Sequence, residues 1–285
     1  MRRIAIALVA LATTASAASA QEVLGRKERT FSLSEKLADG ASVRIFSPIG
    51  DIMITEGTSS TLVFKAEKEM DRGDLEDIGF VVLRGKDGIT ICAVTDANDD
   101  CDTDGVHQAD RRDGWRRWRD RGRVTMTVQV PRGVRLRTSS GNGRVSVSAA
   151  VADARVSSGN GRVDVTGVTG PVTASSGNGD VSVQTSSGPV NASSGNGRIR
   201  VEMDKLSGRD DITLSTGNGR IELIAPADFS AEVDANTGNG SVTTDFPIQL
   251  IGRLSPHRMR GTIGDGARRL RMSSGNGALE IRKKA

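Results

Sequence analysis

Apolar and polar positions alternate along this chain in short bursts. Val145 and Val147 flank Ser146, Val163 and Val165 flank Asp164, and Val181 and Val183 flank Ser182. Ile199 and Val201 then flank Arg200, and Ile221 and Leu223 flank Glu222. A period of two buries one face of an extended chain and leaves the other wet, so each burst predicts a half-buried strand. A second apolar set precedes each burst: Val156, then Val172 and Ala174, Val190 and Ala192, Ile212 and Leu214. Upstream, the same alternation marks Leu62 to Phe64, Val81 to Leu83, Ile89 to Ile91 and Val124 to Val130.

Between paired bursts stands Gly-Asn-Gly. It occurs seven times, with Asn142, Asn160, Asn178 and Asn196 spaced 18 residues apart and Asn218, Asn239 and Asn276 at looser intervals. Asn-Gly tolerates the backbone of a tight turn, so the unit is two strands and two turns. An antiparallel meander could use it, and so could a solenoid whose equivalent strands stack in parallel about 4.8 Å apart. Equal intervals with the same side-chain class at each position favour stacking. The expected fold is therefore all-β, a parallel β-solenoid (β-helix) of about 18-residue coils with irregular N-terminal coils. Stacking would align Arg144, Arg162, Asp180, Arg198 and Arg220 in an outer column, with Asp180 interrupting the like charges. It would also let the asparagines share amide hydrogen bonds from coil to coil. Turn chemistry alone is the other reason for an asparagine there.

The ends differ from the middle. Arg2 and Arg3, the apolar run Ile4 to Leu11 and Ala18-Ser19-Ala20 predict a signal peptide over residues 1–20. A lead-in over 21–42 and a repeat domain over 43–285 follow, with an Asp/Arg-rich insertion at 96–123. Residues 246–271 form an excursion before the last repeat, Ser273 to Ile281, whose strand is expected to close the stack, the basic residues Arg282 to Lys284 blunting its edge. No later apolar stretch approaches the roughly 20 residues of a membrane helix. The expectation is an exported protein, periplasmic or at the cell surface or secreted. An oxidising compartment then predicts a Cys92–Cys101 disulfide, worth about 2–3 kcal/mol for so short a loop.

Pro48-Ile49-Gly50-Asp51-Ile52 early in the chain and the repeated Ser-Gly-Asn-Gly-Arg-Val later, as at Ser140 to Val145 and Ser158 to Val163, resemble the bacterial putative-adhesin family. The resemblance covers roughly residues 41–283. It implies an exported or envelope protein built from β-strand repeats and, through the family's name, adhesion. It supplies no catalytic residues.

Candidate chemistry gathers in the least repetitive segment. Asp100, Asp102, Asp104 and Gly105 match the first half of a calcium loop, but Arg111 stands where the loop needs a bidentate Glu. A solvated acidic loop is the plainer reading. Beyond it, Arg111, Arg112, Trp115, Arg116, Arg117, Trp118, Arg119, Arg121 and Arg123 interleave arginine with the chain's only two tryptophans. Such a segment can grip phosphates or stack on flat groups, which suggests anionic envelope glycans or lipid phosphates as partners. Arginines paired with the neighbouring aspartates are the alternative, and export argues against a nucleic-acid role inside the cell. Net charge is +4, falling to about +2 without Arg2 and Arg3, so any attraction to anions is local. His107 and His257 are the only histidines, in no triad or metal spacing, and no cofactor motif is present. The function expected is an envelope-associated, adhesin-like binding or scaffolding protein that uses avidity along a repetitive Ser/Thr/Asn/Arg surface. A polysaccharide-active β-helix enzyme and a spacer without ligand are the alternatives.

Overall fold

The inward side chains of the two bursts meet in one narrow core. Val145, Val163, Val181, Ile199 and Ile221 from the second burst and Val156, Ala174, Ala192 and Leu214 from the first are all at most 2% exposed. A fully buried Val is worth about 1.5–3 kcal/mol, so one coil cannot offset its own ordering entropy and needs neighbours on both sides. The computed structural model describes residues 22–70, 74–95, 99–107, 122–185, 188–205, 210–252 and 255–284. The leader expected over 1–20 lies outside them.

Strands β1 (Val23–Leu24), β2 (Thr30–Lys36), β3 (Ser42–Ile49), β4 (Ile52–Glu56), β5 (Thr61–Glu69), β6 (Gly79–Gly85) and β7 (Gly88–Val94) form the N-terminal part. A small hairpin, β8 (Asp100–Cys101) and β9 (Val106–His107), precedes β10 (Arg123–Val130). The repeats are β11 (Arg135–Asn142), β12 (Val145–Ser148), β13 (Asp153–Asn160), β14 (Val163–Val168), β15 (Val172–Asn178), β16 (Val181–Thr185), β17 (Val190–Asn196), β18 (Ile199–Met203), β19 (Ile212–Asn218) and β20 (Ile221–Ala225). The rest are β21 (Ala231–Asn239), β22 (Val242–Thr244), β23 (Gln249–Leu250), β24 (Arg258–Ile263), β25 (Arg269–Asn276) and β26 (Leu279–Lys283).

Two sheets face each other across the core. The first has 13 strands in the order β1-β6-β7-β3-β11-β13-β15-β17-β19-β25-β21-β24-β23, the second 11 in the order β2-β5-β10-β4-β12-β14-β16-β18-β20-β26-β22. From β11 to β20 every pairing is parallel and advances by one coil, so that Ser139 meets Ser157 and Asn142 meets Asn160. The repeat region is a solenoid.

Hydrogen bonding from coil to coil fixes the corner between the sheets. Asn160 Nδ2 donates to Asn142 Oδ1 at 2.8 Å, and the same bond repeats up the stack through Asn178, Asn196, Asn218, Asn276 and Asn239. Beneath this ladder, buried hydroxyls donate to glycine carbonyls of the coil before: Ser158 to Gly143, Ser176 to Gly161 and Ser194 to Gly179, at 2.8–2.9 Å. The approach is close enough to demand glycine. A Cβ on Gly177 would lie 2.5 Å from the Gly159 carbonyl oxygen, and one on Gly179, at φ +156°, 2.3 Å from that of Gly161.

At the N-terminal end, β7 pairs parallel with β3 and β10 parallel with β4. These two strands thus occupy a coil below β3 and β4 although they follow it in sequence, and residues 95–122 replace its Gly-Asn-Gly turn. Antiparallel β6 and β1 on one sheet, and β5 and β2 on the other, continue beyond it. The segment read as a lead-in over 21–42 thereby supplies β1 and β2 to the sheets. Lys68 fastens this end: the three N–H groups of its fully buried ammonium are shared among four carbonyls, those of Gly25, Arg26, Leu75 and Ile78, at 2.5–3.0 Å.

The C-terminal end corrects the expected order. The last repeat does not close the stack: β25 lies between β19 and β21, and β26 between β20 and β22. Charge selects that slot. Glu222 on β20 takes Arg282, Arg220 faces Glu280, and Lys284 reaches Glu202 and Asp204. The last coil is instead β21 and β22, with antiparallel β24 and β23 continuing the first sheet beyond β21. There Pro256 and His257 stand in for a further coil, their carbonyls accepting from Val242 and Thr237.

Candidate functional surface

The outer face of the 13-stranded sheet is flat because one of its columns has no side chains. Gly141, Gly159, Gly177, Gly195, Gly217 and Gly275 stack in register beside half-buried Ser139, Ser157, Ser175, Ser193, Ser215 and Ser273. The next column outward reads Arg137, Arg155, Thr173, Asn191, Thr213 and Arg271. Hydroxyls and amides therefore recur about every 4.8 Å along the stack.

Below β11 the serine column changes character. Its register partners are Phe46 on β3 and then Cys92 on β7. Two apolar side chains on an outer face need a cover, and the β8–β9 hairpin supplies it. The Cys92–Cys101 disulfide forms, and Phe46, Val81, Cys92, Val94 and Cys101 make a second small core against Val106. The hairpin is a wall across the flat face, with Ser139 at its foot.

Two clefts follow the wall. One of about 500 Å³ is lined by Phe46, Ser47, Pro48, Val106, His107, Ser139, Gly141 and Asn142. The other, about 310 Å³, includes Phe46, Asp104, Arg137, Ser139, Arg155, Ser157, Thr173 and Ser175. They share Phe46 and Ser139. Arg137 bridges floor and wall, its Nη1 2.7 Å from Asp104 Oδ1 and its guanidinium 5.8 Å from the Phe46 ring centre. Arg155 is exposed and has no carboxylate partner among the described residues. It is a free cation over a floor of hydroxyls.

The predicted acidic loop is the wall itself. Asp102 Oδ1 accepts from the backbone of Asp104 and Gly105, which holds its carboxyl below the usual aspartate range against the opposing effect of burial, with His107 adding to the lowering. Asp102 Oδ2 lies 2.9 Å from His107 Nε2, Asp104 goes to Arg137, and Asp100 Oδ1 accepts from the Cys101 amide. Among the described residues no three His, Cys, Asp or Glu side chains gather as a metal site. Of the arginine–tryptophan candidates, Arg111, Arg112, Trp115, Arg116, Arg117, Trp118, Arg119 and Arg121 lie outside the described residues. Arg123 opens β10, 3.9 Å from Asp51. His107 and Gly122 flank that segment, so both its attachment points sit at this end of the stack, one of them in the larger cleft.

Sequence reasoning missed Arg155 and the floor because their residues look like the rest of the repeat. One signal was present: Phe46 occupies the place of an outward serine, and an outward Phe asks for a cover. Asp180 stands where the expected column put it, accepting from the Arg198 amide and pairing with Arg162 at 3.1 Å. Those contacts hold its carboxyl low despite partial burial.

The model of the Toastrack DUF4097 family matches residues 119–282, more than half of the chain. This chain belongs to that family. No curated protein matches it. Among solved structures, a putative cell adhesion protein from Clostridium sporogenes is 11% identical, with 90% of the Toastrack chain and 100% of the other covered and a TM-score of 0.33. A putative adhesin from Bacteroides fragilis is 12% identical, with 91% and 99% covered and a TM-score of 0.33. A third, from Parabacteroides distasonis, is 8% identical, with 90% and 99% covered and a TM-score of 0.34. No described helix of the Toastrack chain is long and apolar enough to cross a membrane.

Proposed function

We propose that this Toastrack chain is an exported, envelope-associated, adhesin-like binding or scaffolding protein. Its ligand-bearing surface is the outer face of the 13-stranded sheet, from the wall across the Ser/Thr/Asn columns. The observation that carries the reading is the floor itself: in-register hydroxyls and amides end at a cleft where Arg155 lacks a counterion. A polymer lying along the stack meets the same groups coil after coil, so weak contacts add by avidity. An anionic partner adds charge-assisted bonds to Arg155 and to the arginines of 111–123, the segment that follows His107 of the cleft. The leader over 1–20 delivers the chain to the periplasm or the cell surface, and residues 43–285 act as the binding domain.

Binding of the chain from residue 21 onward to isolated envelope fractions tests this, at low and moderate salt, with and without calcium. The expected result is saturable binding that weakens with salt, since exposed charge pairs are screened over a Debye length of about 10 Å at 0.1 M. Arg155→Gln with Ser175→Leu should lower it several-fold while leaving the fold intact. Unchanged binding in that variant moves the site to the arginine–tryptophan segment, where Trp115, Arg116, Arg117 and Trp118 are replaced next. A calcium requirement would assign a role to Asp100, Asp102 and Asp104. Turnover of an acidic glycan would make the protein an enzyme, and no saturable binding under any condition would make it a spacer.

A further inference from the structure

Asn-Gly is the dipeptide most open to spontaneous deamidation, because an unhindered glycine nitrogen can reach the asparagine side chain. Seven such pairs in one exported chain pose a chemical problem that the ladder answers. In six of them the glycine N–H is already bonded to an asparagine carbonyl of the adjacent coil: Gly143 to Asn160, Gly161 to Asn178, Gly179 to Asn196, Gly197 to Asn218, Gly219 to Asn276 and Gly277 to Asn239, at 2.7–3.0 Å. An amide nitrogen held in that bond is not free to turn on its own asparagine. The middle asparagines are also pinned at both ends, Nδ2 donating to one coil and Oδ1 accepting from the next.

Asn239–Gly240 is the exception. The antiparallel β24 that lies outside β21 pairs with it only as far as Asn236, so among the described residues Gly240 N–H has no acceptor and Asn239 Oδ1 no donor. Of the seven glycines that follow the ladder asparagines, Gly240 alone is exposed, the other six being half-buried. The end device there covers something else: His257 Nδ1 lies 2.7 Å from the Gly240 carbonyl oxygen, in place of the missing hydroxyl, and leaves the nitrogen bare. A single bond, from Asn239 Nδ2 to Asn276 Oδ1 at 2.7 Å, restrains the side chain.

We propose that Asn239 is a built-in deamidation site, and that the stack protects the other six asparagines of the ladder. Gly240 N attacks Asn239 Cγ, the bond from Cγ to Nδ2 breaks, and ammonia leaves carrying the proton displaced from Gly240. Water then opens the cyclic imide at either carbonyl and leaves an aspartate or an isoaspartate. No oxidant or catalyst is needed. The product cannot donate to Asn276 Oδ1, so the ladder loses its last bond and gains a negative charge at that end.

The test is to hold the folded protein at mildly alkaline pH, digest it in acid, and read each Asn-Gly peptide by mass and by isoaspartate content. Asn239 should convert at least about tenfold faster than Asn160, Asn178 or Asn196, the ratio that two missing hydrogen bonds correspond to. Asn142, whose Nδ2 has no partner among the described residues but whose Gly143 is bonded, should fall between. In denaturant all seven should converge, since the local sequence is Gly-Asn-Gly throughout. Asn239→Gln should remove the fast phase. Equal rates in the folded protein, a different leading site, or a preference for Asn239 that survives unfolding would each overturn the proposal.

Discussion

The coils of residues 135–225 and the N-terminal end up to residue 130 share a core but are held by different means. In the middle, the buried serines are met by a glycine carbonyl of the coil before and the ladder asparagines by one another, at equivalent positions in every coil, so the sequence must repeat. At the end a coil has one neighbour, and single devices replace the missing one. All six phenylalanines lie outside residues 135–225. Phe31, Phe64 and Phe80 pack against one another with ring centres 4.9–6.1 Å apart beside Lys68, and Phe229 faces Phe246 at 5.6 Å at the other end. Sameness in this chain therefore reports coil-on-coil contact, and departures from it mark places where something else covers the sheet.

The sharpest way to break the comparison is to place one methyl group in each setting. Gly177→Ala drives a Cβ into the Gly159 carbonyl and should cost about 3 kcal/mol or more. Gly40→Ala, at φ +69° with nothing within 4 Å, should cost only about 1–2 kcal/mol of backbone strain. Denaturant midpoints at constant slope would read the difference; equal losses would mean that the coils spread to make room.

The second test lies at the end. Lys68→Met keeps the packing and takes the side-chain donor from four carbonyls, of which that of Leu75 keeps the Ile78 N–H, with an expected loss of about 2–3 kcal/mol and early hydrogen exchange confined to residues 22–30 and 74–80. Burial pushes the Lys68 ammonium below its ordinary 10.5, with Glu28 opposing. The unfolded chain holds the extra proton between the lowered value and 10.5, so stability rises with pH through that window. The Met variant should lose that slope.

The smallest effect belongs to the ladder. Asn178→Ala removes two amide bonds and Asn142→Ala removes one, so losses of about 1 and 0.5 kcal/mol are expected by thermal unfolding. A larger loss at Asn142 would show that the wall, and not the ladder, depends on that side chain.

The regular coils were legible because period and side-chain class coincide: the 18-residue interval places Asn160 over Asn142 with no other choice of register. The order of the last layers was not legible. Asn218, Asn239 and Asn276 present the same edge, and nothing in Ser/Thr-Gly-Asn-Gly says which coil stacks on which. Only outward charges discriminate, Glu222 with Arg282 and Arg220 with Glu280, and those lie on strands far apart in sequence. The position of β10 was hidden for a similar reason: alternation predicted the strand but not that it would slip between β5 and β4. The wall was half visible, through the cysteine pair, while its seat on Phe46 depended on knowing which face of β3 pointed outward.

The placement of β25 and β26 inside the stack bears on how such a molecule can change length over evolutionary time. Between Gly143 and Gly197 each layer is contiguous in the chain, so a tandem duplication of one 18-residue unit adds a layer without disturbing its neighbours. Past Ala225 that freedom ends. A unit copied onto the far end would find the outermost position already taken by Pro256 and His257, and the interior slot keyed by charge to residues 279–284. The Toastrack stack can lengthen from its middle, as a bookshelf does between fixed ends, while the two ends are inherited whole.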